Sequence, residues 1–193
     1  MMARRVIYTE ERIIDTAIAL VRAGGLQAVT ARSLGAALGS SPKPIFTAFG
    51  SMEEITAATI RKAKNIFADY IIEAFDGDIS FQRIGLRWIH FVMAEPELYR
   101  LLFMNANAAS PVLALENIVS NFDALLEHVL DVIQRDFDLS RGNARKLYNQ
   151  MIIHAHGIAC LLVAGETSFT ENEVKKILSE AAMGLVMYYK TKG

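Results

Sequence analysis

Residues 30–49 read TARSLGAALGSSPKPIFTAF, and the fold turns on them. Ala31, Leu34, Ala37 and Leu38 repeat with helical spacing behind Thr30, a residue suited to capping a helix start. Gly39 then interrupts the run, and Ser41 is expected to open a second short helix that reaches Phe49 and stops at Gly50. Two short helices joined by a glycine turn have the layout of a helix-turn-helix. Leu34, Leu38 and Ile45 are expected to pack inward against Ile14 and Ala17, leaving Ser41 to Thr47 to face a DNA major groove. Pro42 and Pro44 fall in the first turn, where N–H groups have no intrahelical partner, so they are expected to cost the helix little. They do remove backbone donors that would otherwise hold a phosphate.

Outward from this stretch the chain reads as helix throughout. Ile13, Ala17, Leu20 and Val21 mark a first helix, with Thr9 as its N-cap and Gly24-Gly25 as its end. Ser51 to Glu54 forms a capping box before a long helix to about Phe75. Asp78 or Ser80 starts the next, which should break at Pro96, itself the first residue of a short helix PELYRLLFM. Ser110-Pro111 repeats that start signal for a helix through Leu115, Ile118, Phe122, Leu125 and Ile133. Ser140 opens another that ends at Gly165, and Thr170 to Glu173 is a second capping box. The pattern predicts nine helices, no strand and an all-α fold.

The chain has 193 residues, 52% of them hydrophobic, and a net charge of −1. Such a chain can bury about 70% of its unfolded surface. Its composition excludes a disordered or collagen-like protein. A single cysteine, Cys160, cannot make an internal disulfide and fits a reducing cytoplasm. The apolar stretch from Met151 to Gly165 is shorter than the ~20 residues of a membrane span and carries His154 and His156. No signal-peptide core follows Arg4 and Arg5, so the expectation is a soluble, cytoplasmic protein. The near-neutral total hides a split. Residues 1–64 carry nine Lys and Arg against five Asp and Glu, whereas residues 65–193 carry eleven against sixteen. A basic head on an acidic body points to a polyanion partner for the head alone.

From Glu11 to about Ile55 the sequence resembles the TetR (tetracycline-repressor-like) transcriptional regulators. The match includes the apolar first helix, Thr30 and Arg32, Gly39, Ser41, Ile45-Phe46, Phe49, Ser51 and Glu53-Glu54-Ile55. Residues 96–103 and His156-Gly157 look like one type of ligand domain in that family. The resemblance implies a helix-turn-helix DNA-binding domain over residues 1–50 and an effector-binding and dimerisation domain over residues 51–193. It also implies a palindromic double-stranded DNA operator, a small-molecule effector and a homodimer, with repression as the family habit. The chain departs from the family at Phe46 and Ala48, where Tyr and His are usual, and at Met52, where Lys is usual.

Base readout falls mainly to Lys43 and Thr47, with Arg32 from the preceding helix. Thr30, Ser41, Pro44 and Phe46 complete the expected DNA-contacting set, and Arg4 and Arg5 are expected to reach phosphate or the minor groove from an arm. In the body, Ile153, Gly157, Cys160 and Leu161 are expected to pair with Val174, Ile177, Ala181, Ala182 and Leu185 as a dimer-forming helix pair. Trp88, Phe91, Tyr99, Phe103, Met104, Phe122, Met151 and His154 form an aromatic and methionine-rich set, read either as core or as the wall of a pocket for a mostly hydrophobic effector. His90, His128, Tyr99 and Asn105 are further candidates for its polar contacts.

Catalysis is not expected. His154 and His156 are two apart and point in different directions on a helix, so they cannot share a metal. No phosphate-binding glycine loop or nucleophile elbow is present, and no cofactor or metal is implied. The competing reading is a helical small-molecule-binding module whose DNA head has degenerated, which Phe46, Ala48 and Met52 keep open. If the head does bind DNA, those three residues remove phosphate contacts. Operator affinity should then fall with salt less steeply than in relatives carrying the usual Tyr and Lys. Binding isotherms across a salt series measure this, and a steeper slope contradicts it.

Overall fold

A computed structural model describes residues 8–75, 77, 79–104 and 123–192. Among them are eight α-helices, three short 3-10 turns and no strand, the all-α fold expected. The described residues fall into two compact units, one holding residues 8–67 and 95–104, the other residues 68–94 and 123–192.

In the first unit, α1 (Glu10–Gly24) starts where Thr9 accepts the Arg12 N–H at 3.2 Å, and it buries Ile13, Ile14, Ala17, Ile18 and Val21. A 3-10 turn at Leu26–Ala28 leads to α2 (Ala31–Ala37). Thr30 and Ser33 cap α2 reciprocally, each side chain accepting the other's backbone N–H, at 3.1 and 2.9 Å. Gly39 ends α2 in the left-handed region (φ 68°), which lets its N–H reach Ala36 O at 3.0 Å and Ser40 N–H reach Gly35 O at 2.8 Å. The buried Tyr8 hydroxyl donates to Leu38 O at 2.8 Å, satisfying one more carbonyl at this helix end.

The segment after the turn differs from expectation. Residues 41–49 do not form an α-helix from Ser41 to Phe49; only a single 3-10 turn, Ile45–Thr47, is present. Proline disfavours helical geometry in the residue before it, so Pro42 acts on Ser41 and Pro44 on Lys43. With that restriction and two N–H groups missing, the bonds that open the segment are i→i−3, from Ile45 N to Pro42 O and from Thr47 N to Pro44 O. The expected burial holds nonetheless: Leu34, Leu38 and Ile45 are buried, as are Ile14 and Ala17.

The helix α3 (Met52–Ile72) opens with Ser51 accepting Glu54 N–H at 3.3 Å and Glu54 accepting Gly50 N–H at 2.8 Å. Its first part completes the first unit together with α5 (Pro96–Phe103). Tyr99 stacks on Phe103 at 4.7 Å and Phe103 meets Phe67 edge-on at 5.2 Å, so this aromatic group is core. Just before α5, Glu95 takes both Nε and Nη2 of Arg22, at 2.8 and 2.5 Å, fastening it to the end of α1.

The second unit contains the end of α3, a 3-10 turn at Glu73–Phe75, and four helices: α4 (Phe81–Ala94), α6 (Asp123–Phe137), α7 (Arg141–Ala164) and α8 (Glu171–Lys192). The expected helix start at Ser110-Pro111 lies outside the described residues, as do Leu115, Ile118 and Phe122. Ser140 caps α7, and Thr170 with Glu173 caps α8, as their sequences predict. By length and composition α7 is apolar enough to cross a membrane, contrary to the expectation from the shorter stretch at its end. Its apolar face instead packs against α4, α6 and α8. Asp136 of α6 accepts the Phe81 N–H at 2.8 Å and so caps α4 from 55 residues away.

Gly35 sets the geometry of the head. A Cβ there would stand 3.0 Å from Ser40 O and 3.1 Å from Pro42 N, both backbone atoms. Gly35→Ala should therefore destabilise the fold by about 1–3 kcal/mol, the range for overpacking. Gly142→Ala, whose added carbon meets nothing, should be neutral or slightly stabilising. Urea unfolding followed by circular dichroism measures both, and equal midpoints would remove the close-approach argument.

Candidate functional site

Two places carry candidate sites, one in each unit. On the head, Arg32, Ser41, Lys43, Phe46 and Thr47 are exposed around the turn that Gly35 and Gly39 shape. Pro44 is half-buried, and Thr30 is exposed with its hydroxyl engaged in the α2 cap. No ion pair with a described residue engages Arg32 or Lys43, so both charges remain available to an anionic partner. The apolar pattern that holds them out is simple: Ile45 and Phe49 point into the core while Phe46 stays 41% exposed. Arg4 and Arg5 lie outside the described residues.

In the second unit a cavity of about 460 Å³ opens between α4, the end of α6, α7 and α8. From α4 and its start come Ser80, Phe81, Gln82, Ile84, Gly85 and Trp88; from α6, Asp136 and Phe137. The helix α7 adds Tyr148, Met151, Ile152 and Ala155, and α8 adds Leu178, Ser179, Ala182 and Met183. This volume lies in the range of small-molecule pockets. Gly85 of α4 faces Leu178 of α8, whose Cδ1 lies 3.7 Å from where a Cβ would stand, an ordinary van der Waals distance.

Of the eight residues expected around an effector, the cavity brings Trp88 and Met151 together. Phe91 is fully buried against Tyr70 at 5.3 Å, and Tyr99 and Phe103 sit in the other unit's core. Met104 is 41% exposed, and the exposed His154 directs Nδ1 to Gln150 O at 2.9 Å. Phe122 and Asn105 lie outside the described residues. His90 pairs with Glu171 at 3.2 Å, and His128 faces the Phe75 ring. Sequence reasoning missed Asp136, Tyr148, Gln82 and Ser179. For Gln82, Tyr148 and Ser179 the only sequence signal is a polar residue placed at the period of an apolar helix face, and Asp136 has none.

The polar groups of the wall are mostly committed to one another. The Asp136 carboxylate accepts Phe81 N–H on one oxygen and Arg135 Nε and Nη2 on the other, at 3.0 and 2.7 Å. Gln82 Nε2 donates to Ser179 Oγ at 2.8 Å, and Ser179 donates in turn to Lys175 O. Ser80 Oγ accepts the Arg83 N–H. Burial pushes the Tyr148 phenol up to about 12, so the cavity holds it as a neutral O–H.

The face expected to pair two chains is partly open. Ile153 is 52% exposed, and Gly157, Leu161 and Ile177 are exposed beside half-buried Cys160, Ala181 and Leu185. Val174 and Ala182 instead point into their own unit. Met187 and Tyr188, absent from the expected set, extend the exposed apolar surface of α8. Cys160 Sγ lies 3.5 Å from His156 Nε2. Burial lowers the His156 value and raises that of Cys160, which favours the neutral pair over a reactive thiolate.

A helical head with exposed cations and a helical body with an apolar cavity have the composition of a regulator of the helix-turn-helix class. Residues 81–183 match the family model for the tetracyclin repressor-like C-terminal domain. The chain belongs to the tetracycline-repressor-like family of transcriptional regulators. Solved structures share the fold. A TetR-like transcriptional regulator from Rhodococcus sp. RHA1 aligns at TM-score 0.66 and 17% identity, over 95% of this chain and 97% of that one. A TetR-family regulator from Streptomyces coelicolor aligns at TM-score 0.66 and 17% identity, over 93% and 82%. The multidrug binding protein EbrR, complexed with imidazole, aligns at TM-score 0.58 and 18% identity, over 89% and 93%. No curated protein sequence matches.

Because Tyr148 is neutral in the fold up to about pH 12 and ionises near 10 when unfolded, the native state holds its proton more tightly. Its contribution to stability is complete below about pH 10 and is lost as pH rises through about 12. Ultraviolet phenolate titration should show a late step near pH 12 in the wild type that is missing in Tyr148→Phe. Identical titration curves would contradict this placement.

Proposed function

We propose that the chain is a homodimeric repressor that holds a palindromic operator and is released by a small, mostly hydrophobic effector. The observation that carries this reading is the cavity of about 460 Å³ walled by α4, α6, α7 and α8, which lies largely within the residues that match the family's C-terminal domain. An effector bound there releases the operator by favouring one of two states that differ in their affinity for DNA, which is the condition for allostery. Arg32, Lys43 and Thr47 read the operator, with Thr30, Ser41, Pro44 and Phe46 at its backbone or thymine methyls and Arg4 and Arg5 from the arm. EbrR, which shares this fold, is a multidrug binding protein, and that supports a ligand role for the cavity here.

The homodimer forms through Ile153, Gly157, Cys160 and Leu161 of α7 with Ile177, Ala181 and Leu185 of α8. The small residues help, since a Cβ at Gly157 or Gly184 meets nothing and a partner helix can approach closely. A two-fold dimer presents two heads to half-sites about one DNA turn apart. The compartment is the cytoplasm, where Cys160 stays reduced.

A second reading, a small-molecule-binding module with a degenerate head, is favoured by one observation: residues 45–47 make a single 3-10 turn where a recognition helix was expected. Gel-shift titration with the DNA upstream of the chain's own gene separates the two. The wild type should shift it at low salt, and Lys43→Ala plus Thr47→Ala should weaken binding by about tenfold or more, given ~1–3 kcal/mol per specific contact. In the same samples, sedimentation should give twice the 21.4 kDa chain mass. No shift on any neighbouring promoter sinks the repressor reading, and a monomer sinks the dimer.

A further inference from the structure

We infer that the cavity selects an uncharged, mostly apolar molecule bearing one hydrogen-bond acceptor, and that the Tyr148 hydroxyl is the donor that recognises it. This rests on the effector reading of the cavity above and states the ligand's chemical class.

The argument is one of charge and of committed donors. Among the described residues no Lys, Arg or His lines the cavity, so an anionic ligand would lose its hydration there without a counter-charge. Asp136 is the one carboxylate among the described wall residues, and its two oxygens already accept from Phe81 N and from Arg135. The Arg135 guanidinium, 2.7 Å from Asp136 Oδ1, already offsets that carboxylate's charge and so weakens its pull on a cationic ligand. Ionic ligands of either sign are therefore disfavoured.

Among the polar side chains, Ser179 both donates to Lys175 O and accepts from Gln82, and Gln82 is otherwise exposed to solvent. Ser80 Oγ is the local cap of α4. Tyr148 stands apart. No hydrogen bond joins its hydroxyl to any described residue. Burial keeps the hydroxyl neutral, hence a donor, at any physiological pH. The half-buried hydroxyl opens onto the cavity, so a ligand oxygen placed against it gains a donor that no described protein group competes for. The Trp88 indole N–H is a second donor on a lining residue, but Nε1 is buried where the Tyr148 hydroxyl is reachable, and Phe81, Phe137, Met151 and Leu178 supply apolar contact.

The test uses the full chain and matched probes in equilibrium dialysis: benzophenone, its carbonyl-free isostere diphenylmethane, 4-benzoylbenzoate and (4-benzoylbenzyl)trimethylammonium. Trp88 is the single tryptophan and lines the cavity, so its emission reports in parallel where a probe sits. Benzophenone should bind, and both charged derivatives should bind at least about tenfold more weakly. Tyr148→Phe should weaken benzophenone by about tenfold, the equivalent of one lost hydrogen bond, while leaving diphenylmethane unchanged.

Infrared spectra of the wild-type complex give a readout that needs no variant. The bound carbonyl stretch should move to lower wavenumber than in a hydrocarbon solvent. An unshifted stretch, an equal effect of Tyr148→Phe on both neutral probes, or tighter binding of either charged probe overturns the inference while leaving the effector cavity standing. Failure of every probe to bind or to perturb Trp88 overturns both.

Discussion

The rest of the structure depends on how α4 is held. At its start the Asp136 carboxylate accepts the Phe81 N–H at 2.8 Å, a charged acceptor at the positive end of a helix. Hydrogen bonds to charged groups contribute about 1.5–3 kcal/mol. Past its other end, Glu95 holds Arg22 in a two-pronged ion pair, but the Arg22 side chain is 48% exposed. Glu95 itself is only 11% exposed and the pair is two-pronged, the geometry in which such pairs do contribute. Each contact stays within its own unit, the first in the body and the second in the head.

Local chemistry makes much of the fold legible. Thr9, Thr30, Ser140 and Thr170 each read from sequence as N-caps, and each accepts a backbone N–H three residues on. Gly39 and Gly165 likewise sit at positive φ where the sequence ends a helix. Residues 41–49 mislead because the periodicity of Ile45 and Phe49 suits a helix, while the prolines act through their neighbours' backbone angles. Weighing only their missing N–H groups leaves out the restriction on Ser41 and Lys43.

The cavity is far less legible than the fold, and for a physical reason. Periodicity reports that a side chain is inward-facing, not which neighbour it faces. Tyr99 and Phe91 carry the same signal as Trp88, yet one joins Phe103, another joins Tyr70, and of the three Trp88 alone borders the cavity. Asp136 is invisible for a related reason. A carboxylate that caps a helix 55 residues earlier has no local signature, because its partner is brought to it only by the packed helices.

The charge split along the chain finds its counterpart in how cations are used. In the body Arg135 and Arg141 are engaged by acidic neighbours, Asp136 for the first and Glu127 and Asp131 for the second. In the head Arg32 and Lys43 have no such partner among the described residues. Acidic excess in residues 65–193 thus neutralises the body's own arginines, and the net charge of the whole chain says little about the head's potential. A similar division of labour shapes α8. Leu178, Ser179, Ala182 and Met183 border the cavity, while Ile177, Met187 and Tyr188 of the same helix are exposed. Any load on one side of α8 is borne by the other, because a packed helix moves as a body rather than residue by residue. A molecule filling the cavity and a chain pairing on the outer face would therefore bias the same element. By linkage, each would change the other's affinity by the same factor.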